Sequence, residues 1–140
     1  MAKNIKLEVV TPEKSIVSEE AQIVMAPGYE GEFGVLSDHT PFLTTLNLGV
    51  LHYKDDKGTE RFVFVSGGFA EALPDRVTVL AESAERRKDI DIERAKAASE
   101  RAQQRLDSED KEDIDFARAR AALERAIHRI RLERQGINKN

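Results

Sequence analysis

Val77-Thr-Val-Leu-Ala-Glu-Ser-Ala-Glu-Arg-Arg-Lys-Asp-Ile-Asp-Ile-Glu-Arg-Ala-Lys-Ala-Ala98 changes its grammar part-way along. Val77, Val79 and Ala81 recur every second residue, the period of a half-buried strand. Beyond Asp91 the alanines fall at helical spacing, among arginine, glutamate and lysine, all good helix formers. The composition changes at the same point, near residue 84. Residues 1–84 hold seven of the eight glycines, all four prolines and seven of the eight aromatics. Residues 85–140 hold eleven of the thirteen arginines, nine alanines and no proline. Glycine and proline punctuate turns, so the first part reads as strands joined by turns and the second as helix. A block of strands followed by a block of helices is an α+β plan, not an interleaved βαβ sheet.

Working back towards the N-terminus, Ile5, Leu7 and Val9 share one strand face, with Lys6 and Glu8 on the other. Val24-Met25-Ala26 is read as a strand ending at Pro27. Val50-Leu51-His52-Tyr53 leads into Asp55-Asp56-Lys57-Gly58, whose glycine permits a positive-φ hairpin turn, and the chain returns as Arg61-Phe62-Val63-Phe64-Val65. After Pro74-Asp75, Val77 to Ala81 is read as the last strand. Short strands recurring between turn signals predict a sandwich or barrel over residues 1–84.

Working forward, Ala95, Ala98, Ala102 and Leu106 make one narrow apolar stripe. Phe116, Ala119, Leu123, Ala126 and Ile130 make a second, after a polar break from Asp107 to Asp113. Two stripes joined by a short turn predict an antiparallel helical hairpin over residues 85–140, with Asp91 and Asp115 at the two helix starts. Alanine seams bury little area, at ~0.8 kcal/mol per CH₂, so the hairpin should dock weakly yet remain helical when undocked.

Several functional classes are excluded or disfavoured by the residues. A net charge of −4 and a pI near 5.5 leave no electrostatic footprint for nucleic acid. There is no cysteine, hence no disulfide or thiolate chemistry. The N-terminus carries no unbroken apolar run of the secretory kind, and no stretch approaches the ~20 apolar residues of a membrane span. Gly28-Tyr29-Glu30-Gly31-Glu32-Phe33-Gly34 lacks the Gly-Lys-Ser/Thr ending and the following helix of a phosphate loop, and is read as a turn between strands. Ser37-Asp38-His39 cannot line up as nucleophile, base and orienter, because the three are consecutive. Glu30 and Glu32 beside glycines are read as solvated rather than as a catalytic dyad. His39, His52 and His128 are too far apart in sequence for a metal-ligand motif. No catalytic or metal residue is expected, so the chain is read as a non-enzyme. Arg94, Arg101 and Arg105 share one helix face, and Arg118, Arg125 and Arg129 repeat that spacing. Two such rows would suit an anion if they converged, or would serve as ordinary surface partners for the thirteen acids of this half.

Gly28-Tyr-Glu-Gly-Glu-Phe-Gly-Val-Leu-Ser-Asp-His-Thr-Pro-Phe42, Ser66-Gly67-Gly68-Phe69-Ala70-Glu71 and Ile90-Asp91-Ile92-Glu93-Arg94-Ala95 together resemble the epsilon subunits of F-type ATP synthases, in order and over essentially the whole chain. The resemblance implies a β-sandwich at the foot of a central stalk, against the gamma subunit and the c ring, with Glu32 and His39 in the stretch that faces the ring. It implies a tail that regulates ATP hydrolysis by meeting the alpha/beta catalytic head. Some bacterial members bind ATP through this tail. The matching positions here are Glu85, Asp91, Arg94, Arg101, Arg125 and Arg129, so ATP is implied as a regulatory ligand, with no cofactor required. It further implies peripheral placement on the cytoplasmic face of a bacterial inner membrane, held there through the complex. The competing reading is a free-standing nucleotide-responsive adaptor.

Overall fold

The computed structural model describes residues 3–108 and 113–137. They fall into two compact units, Met1–Arg86 and Arg87–Asn140.

The first unit is built from nine strands: β1 (Ile5–Val10), β2 (Ser15–Gly28), β3 (Gly31–Val35), β4 (Phe42–Thr45), β5 (Gly49–Asp55), β6 (Glu60–Ser66), β7 (Phe69–Leu73), β8 (Arg76–Leu80) and β9 (Ser83–Arg86). Strand pairing follows the path β4-β7-β8-β1-β2-β5-β6-β9, with β3 added to β2. The long β2 belongs to both layers of the sandwich. Its first half pairs with β1 (Ala21 opposite Ile5), and its second half pairs with β3 and β5 (Met25 opposite Gly34 and His52). The register slips between Ala21 and Ile23, the kind of bulge that bends a strand from one layer into the next.

The core lies between the layers and consists of the residues that the alternation selects. Ile5, Leu7, Val9, Ala70, Ala72, Val77 and Val79 come from one layer; Val24, Ala26, Val35, Leu51, Val63 and Val65 come from the other. The β-branched residues that dominate it suit a pleated surface packed on one face.

Two strand readings need correction. β2 does not stop at Ala26 but runs through Pro27 to Gly28. Its pairing with β5 has already ended at Met25, so the missing N–H of Pro27 removes no rung on that side. Nor is β8 the last strand. Ser83–Arg86 forms β9 against β6, with Val65 opposite Ala84 and Val63 opposite Arg86. The sheet thus continues just past the compositional break at residue 84, into residues whose local propensity is mixed.

The second unit opens with a 3₁₀ turn (Arg87–Asp89), followed by α1 (Ile92–Asp107) and α2 (Asp113–Ile137). Asp91 caps α1 as expected, its carboxylate accepting from the Arg94 N–H at 3.1 Å. Asp115 is not a cap, because α2 has begun two residues earlier; it stands in the first turn, where a carboxylate still meets the positive end of the helix dipole. α1 and α2 pack on each other across a connection short enough to make them antiparallel. The seam is alanine, as expected: Ala95 and Ala102 on α1 and Ala119 and Ala126 on α2 are buried, with Ala98, Leu106, Leu123 and Ile130 half-buried beside them. Phe116 is exposed instead of seated in the stripe. Leu132 is buried although it lies off the stripe; α2 packs on the Arg87–Asp89 turn as well as on α1.

Candidate functional site

The sandwich presents apolar side chains outward as well as inward. On β8, Val77 and Val79 face the core, so Leu80 points out and is 56% exposed. Phe69 on β7 stands opposite Leu80, Thr45 on β4 stands opposite Phe69, and Val10 on β1 stands opposite Leu80. This register makes one cross-strand row, Thr45–Phe69–Leu80–Val10, over four strands. It borders an open groove of about 610 Å³ that Leu46 and Pro12 also line. Two residues along β4 on the same face, Leu43 is 70% exposed.

The groove owes its floor to Gly67-Gly68. Both have positive φ, 67° and 105°. A β-carbon on Gly68 would lie 2.0 Å from the Leu80 carbonyl oxygen, so only glycine lets β7 close this tightly on β8.

The Gly28–Gly34 stretch, read as a turn between strands, is a turn only at Tyr29-Glu30; from Gly31 to Val35 it is strand β3 itself, paired with the end of β2. Tyr29 and Glu30 form the tip of the β2–β3 hairpin, with Tyr29 72% exposed. The tip is fastened by residues distant in sequence. The Tyr29 N–H donates to the Thr45 carbonyl at 3.0 Å and the Asn47 N–H to the Pro27 carbonyl at 2.9 Å, while Asn47 Nδ2 donates to the Gly28 carbonyl at 3.2 Å. Glu32 lies on β3, and its carboxylate is 3.4 Å from His52 Nε2 on β5. His52 also approaches Glu60 at 4.0 Å and stacks on Phe62. His39 lies in the β3–β4 loop with its ring edge-on to Phe42, which in turn meets Phe33 edge-on. Asp38, immediately before it, adopts φ 65°, unusual for a residue other than glycine. Glu32 and His39 therefore belong to adjoining elements at one end of the sandwich, each with its own intramolecular partners.

The positions matched to nucleotide binding divide between the two units. Glu85 is on β9 of the sandwich. Asp91 is engaged as the α1 cap. Arg94 and Arg101 project from α1, both exposed, and Arg125 and Arg129 lie half-buried on α2. Among the described residues no cluster of histidine, aspartate or glutamate has the arrangement of a metal site.

Two polar clusters were not legible in the sequence. Arg86, at the end of β9, donates from Nε to the Ile16 carbonyl at 2.9 Å, from Nη2 to Glu19 at 2.7 Å and from Nη1 to the Tyr53 hydroxyl at 3.4 Å. Burial works against its charge, but the bonds to Glu19 and Tyr53 outweigh that and hold the guanidinium even more firmly protonated than usual. Burial likewise pushes the Tyr53 hydroxyl up to about 12. Asp55 closes the β5–β6 turn by accepting from the Thr59 N–H at 2.9 Å, the Lys57 N–H at 3.0 Å and Arg61 Nε at 3.2 Å. These bonds, the Thr59 one foremost, hold its carboxyl below the ordinary range.

Both units match known families. Residues 4–87 match the ATP synthase, Delta/Epsilon chain, beta-sandwich domain, and residues 88–132 match the ATP synthase, Delta/Epsilon chain, long alpha-helix domain. The chain belongs to the epsilon subunits of F-type ATP synthases. The ATP synthase epsilon chain of Desulfosudis oleivorans is 68% identical to it over 108 residues, 77% of this chain and 81% of that one. That of Desulfatibacillum aliphaticivorans is 67% identical over 110 residues, 79% of this chain and 78% of that one. Among solved structures, a chain of the Euglena gracilis mitochondrial ATP synthase OSCP/F1/c-ring assembly superposes with a TM-score of 0.74 at 25% identity, covering 89% of this chain and 78% of that chain. A chain of the Tetrahymena thermophila mitochondrial ATP synthase central stalk and c ring shares the fold, with a TM-score of 0.55 at 16% identity over 97% of this chain and 98% of that one. The epsilon chain has no helix among its described residues long and apolar enough to cross a membrane.

Proposed function

We propose that this epsilon chain is a non-catalytic rotor subunit of a proton-driven ATP synthase, joining the gamma subunit to the c ring and restraining ATP hydrolysis through its helical hairpin. The observation that carries the reading is the outward apolar row Phe69–Leu80–Val10, in which Phe69 and Leu80 are exposed and Val10 is half-buried. A contiguous outward patch of that kind marks a protein interface. In this reading the row docks on gamma, while the β2–β3 hairpin and the following loop, with Glu32 and His39, meet the c ring. Solved relatives that belong to c-ring and central-stalk assemblies support this arrangement. The subunit then stays peripheral, on the cytoplasmic face of a bacterial inner membrane, held there by its partners.

The hairpin supplies the regulation. Its alanine seam gives it little apolar area to hold α1 and α2 together, and its exposed arginines suit acidic groups of the alpha/beta head. ATP bound through Arg94, Arg101, Arg125 and Arg129 would favour one placement of the hairpin over the other, and so set the strength of the brake. Removal of the hairpin tests the proposal. The cut belongs after Arg86, because β9 is part of the sandwich. A chain ending at Lys88 should assemble into the complex and raise its ATPase rate; assembly with an unaltered rate refutes the brake.

A further inference from the structure

The ring of His39 is oriented by a set of contacts that determine which of its nitrogens is offered outward. Nδ1 lies 2.5 Å from the carbonyl oxygen of Thr40. A carbonyl oxygen only accepts, so Nδ1 carries the proton and donates. In a neutral imidazole the other nitrogen, Nε2, then keeps its lone pair and is an acceptor. Rotating the ring by half a turn would put a carbon where Nδ1 stands and break the bond to Thr40.

Aromatic packing opposes that rotation. Phe42 meets the His39 ring edge-on at 5.0 Å between centroids, and Phe33 braces Phe42 at 5.2 Å. Both phenylalanines are half-buried and pack against the sandwich core. The backbone approach is held as well, since the Asp38 N–H donates to the Pro74 carbonyl at 2.7 Å with Asp38 at φ 65°. Among the described residues no hydrogen bond or ion pair engages Nε2. His52 differs, because carboxylates of Glu32 and Glu60 approach both of its nitrogens.

We infer that His39 is a specificity-determining residue of the rotor contact, presenting Nε2 as a hydrogen-bond acceptor for an N–H donor on the partner: an arginine, a lysine or an amide. The inference rests on the proposed role of this loop in meeting the rotor. Phe42 and the Thr40 carbonyl act as positioning groups, and their effect is to pre-pay the ordering of the ring before the partner arrives.

Two measurements test it separately. Proton–nitrogen correlation NMR on the full chain, at about pH 9 where imidazoles are neutral, should show His39 protonated on Nδ1 and bare on Nε2. His128, whose Nδ1 faces the Glu124 carbonyl at 2.8 Å, serves as an internal standard. A His39 ring protonated on Nε2, or an even mixture, overturns the inference while leaving the rotor contact intact.

The second measurement is the affinity of the full chain for the synthase depleted of this subunit. His39→Gln carries an acceptor oxygen at about the place of Nε2, whereas His39→Asn reaches only to the place of Nδ1. The glutamine chain should bind within about twofold of the unsubstituted one, and the asparagine chain about fivefold or more weakly, the size of one hydrogen bond. Equal weakening of both overturns the acceptor role. No weakening in either also overturns the acceptor role; the loop contact is then judged by Tyr29→Glu at the exposed hairpin tip, which weakens binding if this loop meets the rotor and leaves it unchanged if it does not.

Discussion

At the scale of single residues, Asp55 shows how a buried charge comes to be tolerated. Its carboxylate closes the β5–β6 turn through two backbone N–H groups and the Arg61 guanidinium, so nearly every lone pair that burial would leave bare is answered. Because these bonds favour the ionised form, the folded-state pKa lies below the ordinary 3.8. The stabilisation is therefore complete above that value and is lost as pH falls through the folded-state value. Asp55→Asn, which cannot pair with Arg61 as a charge, should melt at a lower temperature at neutral pH and lose less stability than the unsubstituted chain on acidification below 3.8. Parallel acid profiles for the two chains would show that another carboxylate controls the decline. Arg86 makes the complementary case, a cation bound to Glu19, Tyr53 and the Ile16 carbonyl from the final strand of the sandwich.

At the scale of elements, the sandwich and the hairpin are held by different means. The strands bury Val, Ile, Leu, Phe and Tyr side chains whole, whereas the α1–α2 seam is centred on four alanines. Each alanine contributes a single methyl, and backbone hydrogen bonds with strong intrinsic propensity supply most of the rest. Hydrogen exchange should therefore show α1 and α2 opening at lower free energy than β1, β2 and β5, as a separate cooperative unit. Protection in residues 92–107 equal to that of the central strands would contradict a loosely seated hairpin. The β6–β7 turn adds an element-level constraint of another sort, since Gly67-Gly68 is the connection that lets β7 lie directly on β8 and bring Phe69 opposite Leu80.

At the scale of the whole molecule, the sandwich has an inner apolar face that folds it and an outer apolar row that folding does not need. Leu80 is a suitable probe because its side chain is already 56% exposed. Leu80→Glu should leave the melting temperature of the isolated chain nearly unchanged, as surface substitutions do. It should weaken binding to the depleted synthase about tenfold or more, as truncation of an interface anchor does. Undiminished affinity would remove this row from the stalk interface and leave the apolar groove without that role. Removal of the hairpin and substitution at Leu80 thus separate regulation from assembly.

Much of the fold was written in local pattern. The alternation at Ile5, Leu7 and Val9, the turn at Asp55–Gly58, the cap at Asp91 and the alanine stripes each depend on neighbours a few residues away, and each was legible. Outward-pointing Leu80 was implicit in the same alternation, once Val77 and Val79 were assigned inward. What local pattern did not contain is pairing between distant segments: β9 on β6, β1 parallel to β8, Glu32 beside His52, Arg86 on Glu19, the Thr40 carbonyl and Phe42 around His39. Periodicity records which way a side chain points along its own element, but two elements meet only when the layers close. The sequence by itself thus determined the kinds of element and their order; tertiary structure decided which polar groups answer one another and which apolar ones are left facing out.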